Sequence, residues 1–169
     1  NEGRVMFVDN SSFANNTSVV MWTDTEVPAQ QWEAIANDNG TFSFRNVFTG
    51  KYLARNSAVI STNSKIQQTA STSSMGQWNV DAVDGHDGYY VITQSSASNT
   101  FILQTSAASD GETMNFSAWT DGSTPANTQM WKLEEVDPIT DFTDELRTQM
   151  MDDWLAQHLR DRGSNGKTF

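Results

Sequence analysis

The chain has 169 residues, a formal net charge of −11, no cysteine and a hydrophobic fraction of 37%. The acidic excess excludes nucleic acid as a partner, because phosphates would be repelled and no stripe of lysine and arginine offsets the charge. The lack of cysteine excludes a disulfide framework and a thiolate nucleophile, and no apolar run reaches the roughly 20 residues of a membrane span.

The N-terminus, NEGRVMFVDN, lacks the basic start and apolar middle of a signal peptide, so we expect a soluble chain that is already processed. Glycosylation sequons point weakly to a secreted glycoprotein, because several arise by chance in a sequence rich in Asn, Ser and Thr. The sequons begin at Asn10, Asn15, Asn16, Asn39 and Asn115.

An internal repeat runs through the chain, anchored on Trp32, Trp78 and Trp131. Each repeat contains a short strand, a polar turn, a second strand, a loop and a final strand that carries the tryptophan. The second and third repeats also begin with an earlier strand, at 41–47 and 88–94. Four strands in each of three repeats predict about twelve strands over residues 1–136, with repeats at about 1–40, 41–87 and 88–136.

The first repeat is short, because nothing before Gly3 can supply its opening strand. Three explanations remain open at this point. The chain was trimmed, its C-terminal end fills the gap, or the domain closes imperfectly.

Residues 137–169 have a different character and form a helical extension or linker. Phe142, Leu146, Met150 and Trp154 recur at every fourth position, which predicts an amphipathic helix. Thr143 is placed to cap its start, and Gly163 can end it. The apolar stripe would pack on the preceding domain or form a homodimer, or else the helix begins a following domain.

The repeats end in Gln-x-Trp or a relic of it, namely Gln30-Gln-Trp32, Gly76-Gln-Trp78 and Gln129-Met-Trp131. Over about residues 3–136 this pattern resembles the ricin-type β-trefoil of ricin B-like lectins and family-13 carbohydrate-binding modules. The resemblance implies an all-β trefoil, with the C-terminal α-helix added to it. We expect the three tryptophans to fill the core and the Gln amides to hold the turns.

The resemblance also implies shallow sugar pockets, each with an aromatic ring about ten residues before the Gln-x-Trp tryptophan. Trp22 and Trp119 occupy such positions, whereas the second repeat has Gln68 there, which cannot stack on a sugar. A carboxylate beside the ring would bind two vicinal hydroxyls. The predicted carbohydrate-binding residues are Trp22, Asp24 and Gln30 in the first repeat, and Trp119, Asp121, Asn127 and Gln129 in the third.

One family feature is missing, since an early Asp should align near Phe7, Ala54 and Leu103, and none of these is acidic. A nearby carboxylate could substitute for it. The structural alternative is that both tryptophans pack on the outer face and each following Asp caps its own loop. The carboxylates that could substitute for the missing early Asp are those of Asp9, Asp24, Asp110 and Asp121.

Nothing in the sequence indicates an enzyme, a cofactor or a metal site, since His86 lies in a Gly-rich turn and His158 in the tail helix. We therefore expect a secreted lectin or glycan-targeting module, for which galactose or N-acetylgalactosamine is the family's habit. One alternative is a targeting module cleaved from a glycoside hydrolase. Others are a protease inhibitor using loop 84–88 or 95–99, and a structural trefoil that assembles through the tail helix.

Overall fold

The computed structural model describes residues 3–105, 109–137 and 143–164, with side chains up to residue 157. Residues 1–137 and 138–169 form two separate compact parts. No helix among the described residues is long and apolar enough to cross a membrane. The elements are β1 Arg4–Val8, β2 Val19–Thr23, β3 Trp32–Ala36, β4 Phe42–Asn46, β5 Tyr52–Arg55, β6 Ile66–Thr69, β7 Asn79–Ala82, β8 Tyr89–Ser95, β9 Thr100–Thr105, β10 Glu112–Trp119, β11 Trp131–Lys132 and α1 Asp144–Ser164.

The strands form two sets, and every pairing is antiparallel. Three hairpins, β1–β2, β5–β6 and β9–β10, come one from each repeat. The other five strands follow one another in the order β3, β4, β7, β8 and β11, and a single bridge between Phe42 and Trp78 joins β4 to β7. A barrel with one hairpin per repeat is the β-trefoil arrangement, so the predicted fold is confirmed.

The three Gln-x-Trp tryptophans make the same contact in each repeat. Each indole Nε1 donates a hydrogen bond of 3.1 Å to a backbone carbonyl on the first hairpin strand of its own repeat, which satisfies the one polar group of a packed ring. The pairs are Trp32 with Met6, Trp78 with Leu53, and Trp131 with Leu103.

Burial of these tryptophans is uneven. Trp78 and Trp131 are 0% and 6% exposed, as expected for core residues. Trp32 is only half-buried, and so is Met6, the residue that its indole contacts. The core is therefore less well covered in the first repeat than in the other two.

A short 3₁₀ turn precedes each Gln-x-Trp tryptophan. In the first and second repeats, this turn is hydrogen-bonded to the opening strand of the following repeat. A side-chain amide at the end of that strand donates to two turn carbonyls, which satisfies groups that the turn cannot pair internally. Asn46 donates to Ala29 O (3.0 Å) and Gln31 O (3.3 Å), and Gln94 donates to Met75 O and Gln77 O (2.9 Å each).

The described residues contain eleven strands, and the opening strand of the first repeat is the one that is missing. By analogy with β4 and β8, that strand would lie between β11 and β3. Neither β3 nor β11 pairs with any described strand on that side.

The C-terminal helix begins as predicted, because Thr143 Oγ1 accepts a hydrogen bond from Leu146 N at 3.1 Å. It runs to Ser164, so Gly163 lies inside it and does not end it. Phe142 lies outside the described residues.

The predicted apolar stripe of this helix is partly exposed. Met150 and Trp154 are half-buried, whereas Leu146 is 42% exposed. Of the apolar residues beside the stripe, Met151 is half-buried and Leu155 is 45% exposed.

Candidate functional site

The indole contacts define which hairpin positions correspond in the three repeats. Met6, Leu53 and Leu103 each accept the indole hydrogen bond, so these three residues are equivalent. The next position along each strand, where the resemblance implies an Asp, is therefore Phe7, Ala54 and Gln104. The sequence analysis predicted it near Leu103 in the third repeat, and the indole contact gives the next residue, Gln104, so the third repeat has a polar side chain there.

The hairpin β9–β10 gathers polar groups and one aromatic ring on a single face. Gln104 lies directly opposite Asn115, two residues before Ser117, and Trp119 follows after two more. Because paired residues of an antiparallel hairpin share a face and side chains alternate along a strand, these four lie on the same side. We call Gln104, Asn115, Ser117 and Trp119 the third-repeat face.

Gln129, from the turn before Trp131, orients two members of this face. Its Nε2 donates to Ser117 Oγ at 2.9 Å and to Gln104 Oε1 at 3.3 Å, while its Oε1 accepts from Ala126 N at 2.9 Å. Gln129 therefore fixes the orientation of the Gln104 amide, with Gln104 Oε1 toward Gln129. Among the described residues no acceptor is bound by Gln104 Nε2, so its two N–H groups are available to a ligand.

Asn115 carries the one buried side-chain polar atom that lacks a hydrogen-bond partner among the described residues, its Oδ1. An unpaired buried carbonyl costs about 1–3 kcal/mol. Such an atom is uncommon in a folded protein and is usually satisfied by a water molecule or a ligand.

The other predicted residues of the third repeat lie at its periphery. Trp119 is half-buried at the end of β10, and Asp121 is exposed in the turn that follows it. Asn127 is exposed at the start of the 3₁₀ turn that also contains Gln129.

The two pocket tryptophans are not at equivalent positions. Trp22 lies opposite Val5, one residue before Met6, whereas Trp119 lies opposite Thr100, three residues before Leu103. Trp119 is thus displaced by two residues along its hairpin. A shift of two keeps it on the corresponding face.

The corresponding face of the first repeat is apolar. Trp22 shares it with Val5 and Phe7, and the Phe7 and Trp22 ring centroids are 5.7 Å apart. Gly111 lies against the indole, since a Cβ added there would be 3.8 Å from Trp22 Cζ3. Phe7 occupies the position of the family's early Asp, so this face has no polar group there.

Asp24 and Gln30 both hold the loop after Trp22. Asp24 is exposed, and its Oδ1 accepts from Glu26 N at 2.9 Å, which is the loop-capping alternative for this residue. Gln30 is buried, donates to Thr23 O at 2.8 Å and accepts from Thr25 N at 2.9 Å. Both ends of the Gln30 amide are therefore used within the loop.

Asp110 links the third repeat to the first. Its carboxylate accepts hydrogen bonds from the Thr23 amide (2.8 Å), the Thr23 hydroxyl (3.0 Å) and Arg4 Nε (3.1 Å). Desolvation raises the pKa of Asp110, but the hydrogen bonds from Thr23 and Arg4 outweigh it and hold the pKa below its ordinary value. Asp110 thus binds protein groups in place of the ligand for which the sequence suggested it.

The second repeat has no comparable face, because Gln68 is fully buried. Its Nε2 donates to Ser12 O and Ala14 O at 2.7 Å each, and its Oε1 accepts from Thr49 Oγ1 at 2.8 Å. Gln68 therefore joins the second repeat to a loop of the first.

Titratable groups do not assemble into a metal site in the part of the chain that the structure describes. No group of three or more His, Asp or Glu side chains there is placed to hold an ion. The side chain of His158 lies outside this part.

Residues 1–70 match the sequence model of the ricin-type beta-trefoil lectin domain-like family, which confirms the resemblance to ricin-type lectins. No curated protein sequence matches the chain.

Several solved structures share the fold. A designed 3-fold symmetric protein, ThreeFoil, has a TM-score of 0.67 and 23% identity, with 79% of this chain and 92% of that chain covered. An exo-β-1,3-galactanase from Clostridium thermocellum has a TM-score of 0.67 and 26% identity over 79% of this chain, which spans only 28% of the enzyme. A Macrolepiota procera ricin B-like lectin in complex with lactose has a TM-score of 0.56 and 12% identity over 76% of this chain and 91% of that one.

Proposed function

We propose that the protein is a non-catalytic lectin that binds glycans through the third-repeat face. The general function is supported by the family match and by the lectin among the similar structures. The specific site is supported by one observation above the others. Gln129 holds Gln104 and Ser117 in fixed orientations on the same face as the Trp119 ring.

This combination suits a sugar ring. The C–H face of a pyranose is apolar and would stack on Trp119, while its hydroxyls need donors and acceptors in fixed positions. Gln104 Nε2 offers two donors and Ser117 a hydroxyl. Asp121 and Asn127, both exposed in neighbouring turns, would contact hydroxyls at the edge of the bound ring.

The first-repeat face would serve as a weaker second pocket. Trp22 and Phe7 can stack on a sugar, but Asp24 is the one predicted polar residue there whose side chain is exposed. Two weak pockets on one domain increase the retention of a multivalent glycan without any new contact.

A galactose-type sugar and an extracellular location complete the proposal. The similar lectin was solved with lactose, a galactoside, and another relative of the fold acts on a β-1,3-galactan. The similarity to part of the galactanase keeps a second candidate in place, in which this domain targets a glycan-degrading enzyme to its polymer.

Titration of the protein with lactose, galactose and β-1,3-galactan tests the proposal, with intrinsic tryptophan fluorescence and calorimetry as the measurements. Trp119→Ala should weaken binding about tenfold or more, since the loss of one stacked ring costs about 1.4 kcal/mol. Trp119→Phe should retain most of the affinity, and Trp22→Ala should have the smaller effect. Binding of the polymer but not of lactose would favour the targeting module.

If no sugar binds, or if Trp119→Ala binds every sugar as the wild type does while remaining folded, the proposed site is wrong.

A further inference from the structure

The orientation of the Gln104 amide on the third-repeat face is set by a backbone group. Ala126 N can only donate, so the atom that it binds at 2.9 Å is the side-chain oxygen of Gln129. The side-chain nitrogen of Gln129 then donates to Gln104 Oε1 at 3.3 Å. The other end of the Gln104 amide, Nε2, therefore presents two N–H groups that bind no acceptor among the described residues.

Ser117 and Asn115 add donors to the same face. Ser117 Oγ accepts from Gln129 at 2.9 Å, so its own O–H is free to donate, and it binds no acceptor in the described part of the chain. Asn115 buries its Oδ1 without a partner, whereas its Nδ2 is not among the buried unpaired atoms and so reaches the surface. Because Gln104 and Asn115 lie directly opposite each other, their Cβ atoms are about 5 Å apart. Both amide nitrogens can therefore donate to one ligand group.

No member of the third-repeat face is charged, and the acidic residues closest in sequence lie elsewhere. Asp110 is held in an ion pair. Glu112 lies on the other side of β10, since it is three residues before Asn115 and side chains alternate. Asp121 follows Trp119, which is four residues beyond Asn115 and so about 13 Å along the strand. The end of the face at Asn115 thus offers donors without a neighbouring carboxylate.

We propose that the third-repeat face recognises an acidic sugar, with the carboxylate of a uronic acid bound by the amide nitrogens of Gln104 and Asn115. This inference rests on the proposed function and specifies its sugar. A carboxylate has two oxygens and no proton, so it suits a set of donors, and hydrogen bonds to it are stronger than those to a neutral hydroxyl. Galacturonate has the ring of galactose with a carboxylate at C6, and its ring would stack on Trp119.

Three methyl β-glycosides that differ only at C6 test the inference, namely the galactoside, the galacturonide and the galacturonamide. In calorimetry at pH 7 the galacturonide should bind about tenfold more tightly than the galactoside, because two hydrogen bonds gain a charged acceptor. The galacturonamide should bind no more tightly than the galactoside, because its own N–H groups oppose the donors of the protein.

Gln104→Glu should reverse the preference, because the new carboxylate repels that of the galacturonide. Gln67→Glu is the matched control, since it adds the same charge at an exposed hydrogen bond of the second repeat and should keep the preference. Asn115→Ala should reduce the preference to about threefold, because one of the two donors is lost.

The inference is overturned if the wild type binds the galactoside at least as tightly as the galacturonide, and the proposed lectin function then still stands. It is also overturned if the galacturonamide binds as tightly as the galacturonide, or if Gln104→Glu keeps the preference. If the wild type binds none of these glycosides and no other sugar, the inference and the proposed function are both wrong.

Discussion

Asp110 and Thr23, 87 residues apart, are joined by hydrogen bonds from both the amide and the hydroxyl of Thr23 to one carboxylate oxygen, at 2.8 and 3.0 Å. Arg4 completes the contact on the same oxygen. This link joins the third repeat to the first repeat.

We expect Asp110→Asn to lower Tm at pH 7 and to have little effect at pH 2. The pKa of Asp110 is lower in the folded than in the unfolded protein, so its charge stabilises the fold above a pH of about 4. That contribution is lost as the pH falls through the lowered pKa. Thermal unfolding of both proteins between pH 2 and pH 7 measures the difference, and Asp121→Asn, an exposed carboxylate, is the control. An equal difference at both ends of the range would contradict the role of the charge.

Gln68→Leu should destabilise the domain by about 3 kcal/mol. The substitution removes three hydrogen bonds, those from the Gln68 amide to Ser12 O and Ala14 O and the one from the Thr49 hydroxyl to Gln68 Oε1, and each costs about 1 kcal/mol. Urea unfolding gives the free energy. Gln67→Leu is the matched control, since Gln67 makes one exposed hydrogen bond, to Asn16. A loss below about 1 kcal/mol would mean that the loop rearranges to satisfy these groups.

Trp78→Phe should cost about twice as much stability as Trp32→Phe. Both substitutions remove an indole hydrogen bond of 3.1 Å, so the difference between their stability losses reports how deeply each ring is buried and packed. Trp78 is 0% exposed and stacks on Phe116 with ring centroids 5.9 Å apart. A cost of about 2–3 kcal/mol is expected for Trp78 from the lost hydrogen bond and the cavity. Equal costs would show that Trp32 is as well covered as Trp78.

Gln104→Glu replaces the two N–H donors of Gln104 with a carboxylate oxygen, which accepts from sugar hydroxyls, since these can both donate and accept. Binding of neutral sugars at pH 7 should strengthen by about fivefold, because a hydrogen bond to a charged acceptor is stronger by about 1 kcal/mol. The gain should disappear as the pH falls below about 4, where the new carboxylate becomes protonated. Gln104→Leu should abolish binding at this face while the protein stays folded. Calorimetry at pH 7 and pH 3.5 measures both effects, and identical pH profiles for Gln104→Glu and the wild type would remove Gln104 from the site.

The fold could be predicted because its determinants are local and repeated. Tryptophans at a near-constant spacing, each after similar strands, mark the three repeats, and Thr143 marks the start of the helix.

The site could be predicted only in part. The spacing between the ring and the early Asp position varies from repeat to repeat, so counting back from Trp119 placed that position near Leu103. The indole hydrogen bonds, which only the structure shows, indicate Gln104. Two sets of hydrogen bonds join distant parts of the chain, those between Asp110 and Thr23 and those from Gln68 to Ser12 and Ala14. No local sequence pattern predicts such contacts.

The amides of Asn46 and Gln94 have a consequence for how the chain folds. Each completes a turn that belongs to the preceding repeat, so neither of the first two repeats contains everything that its own structure needs. A single repeat cut from this chain should therefore remain unstructured. Folding must bring residues of neighbouring repeats together early, which favours a slow, all-or-none transition over stepwise growth from one end.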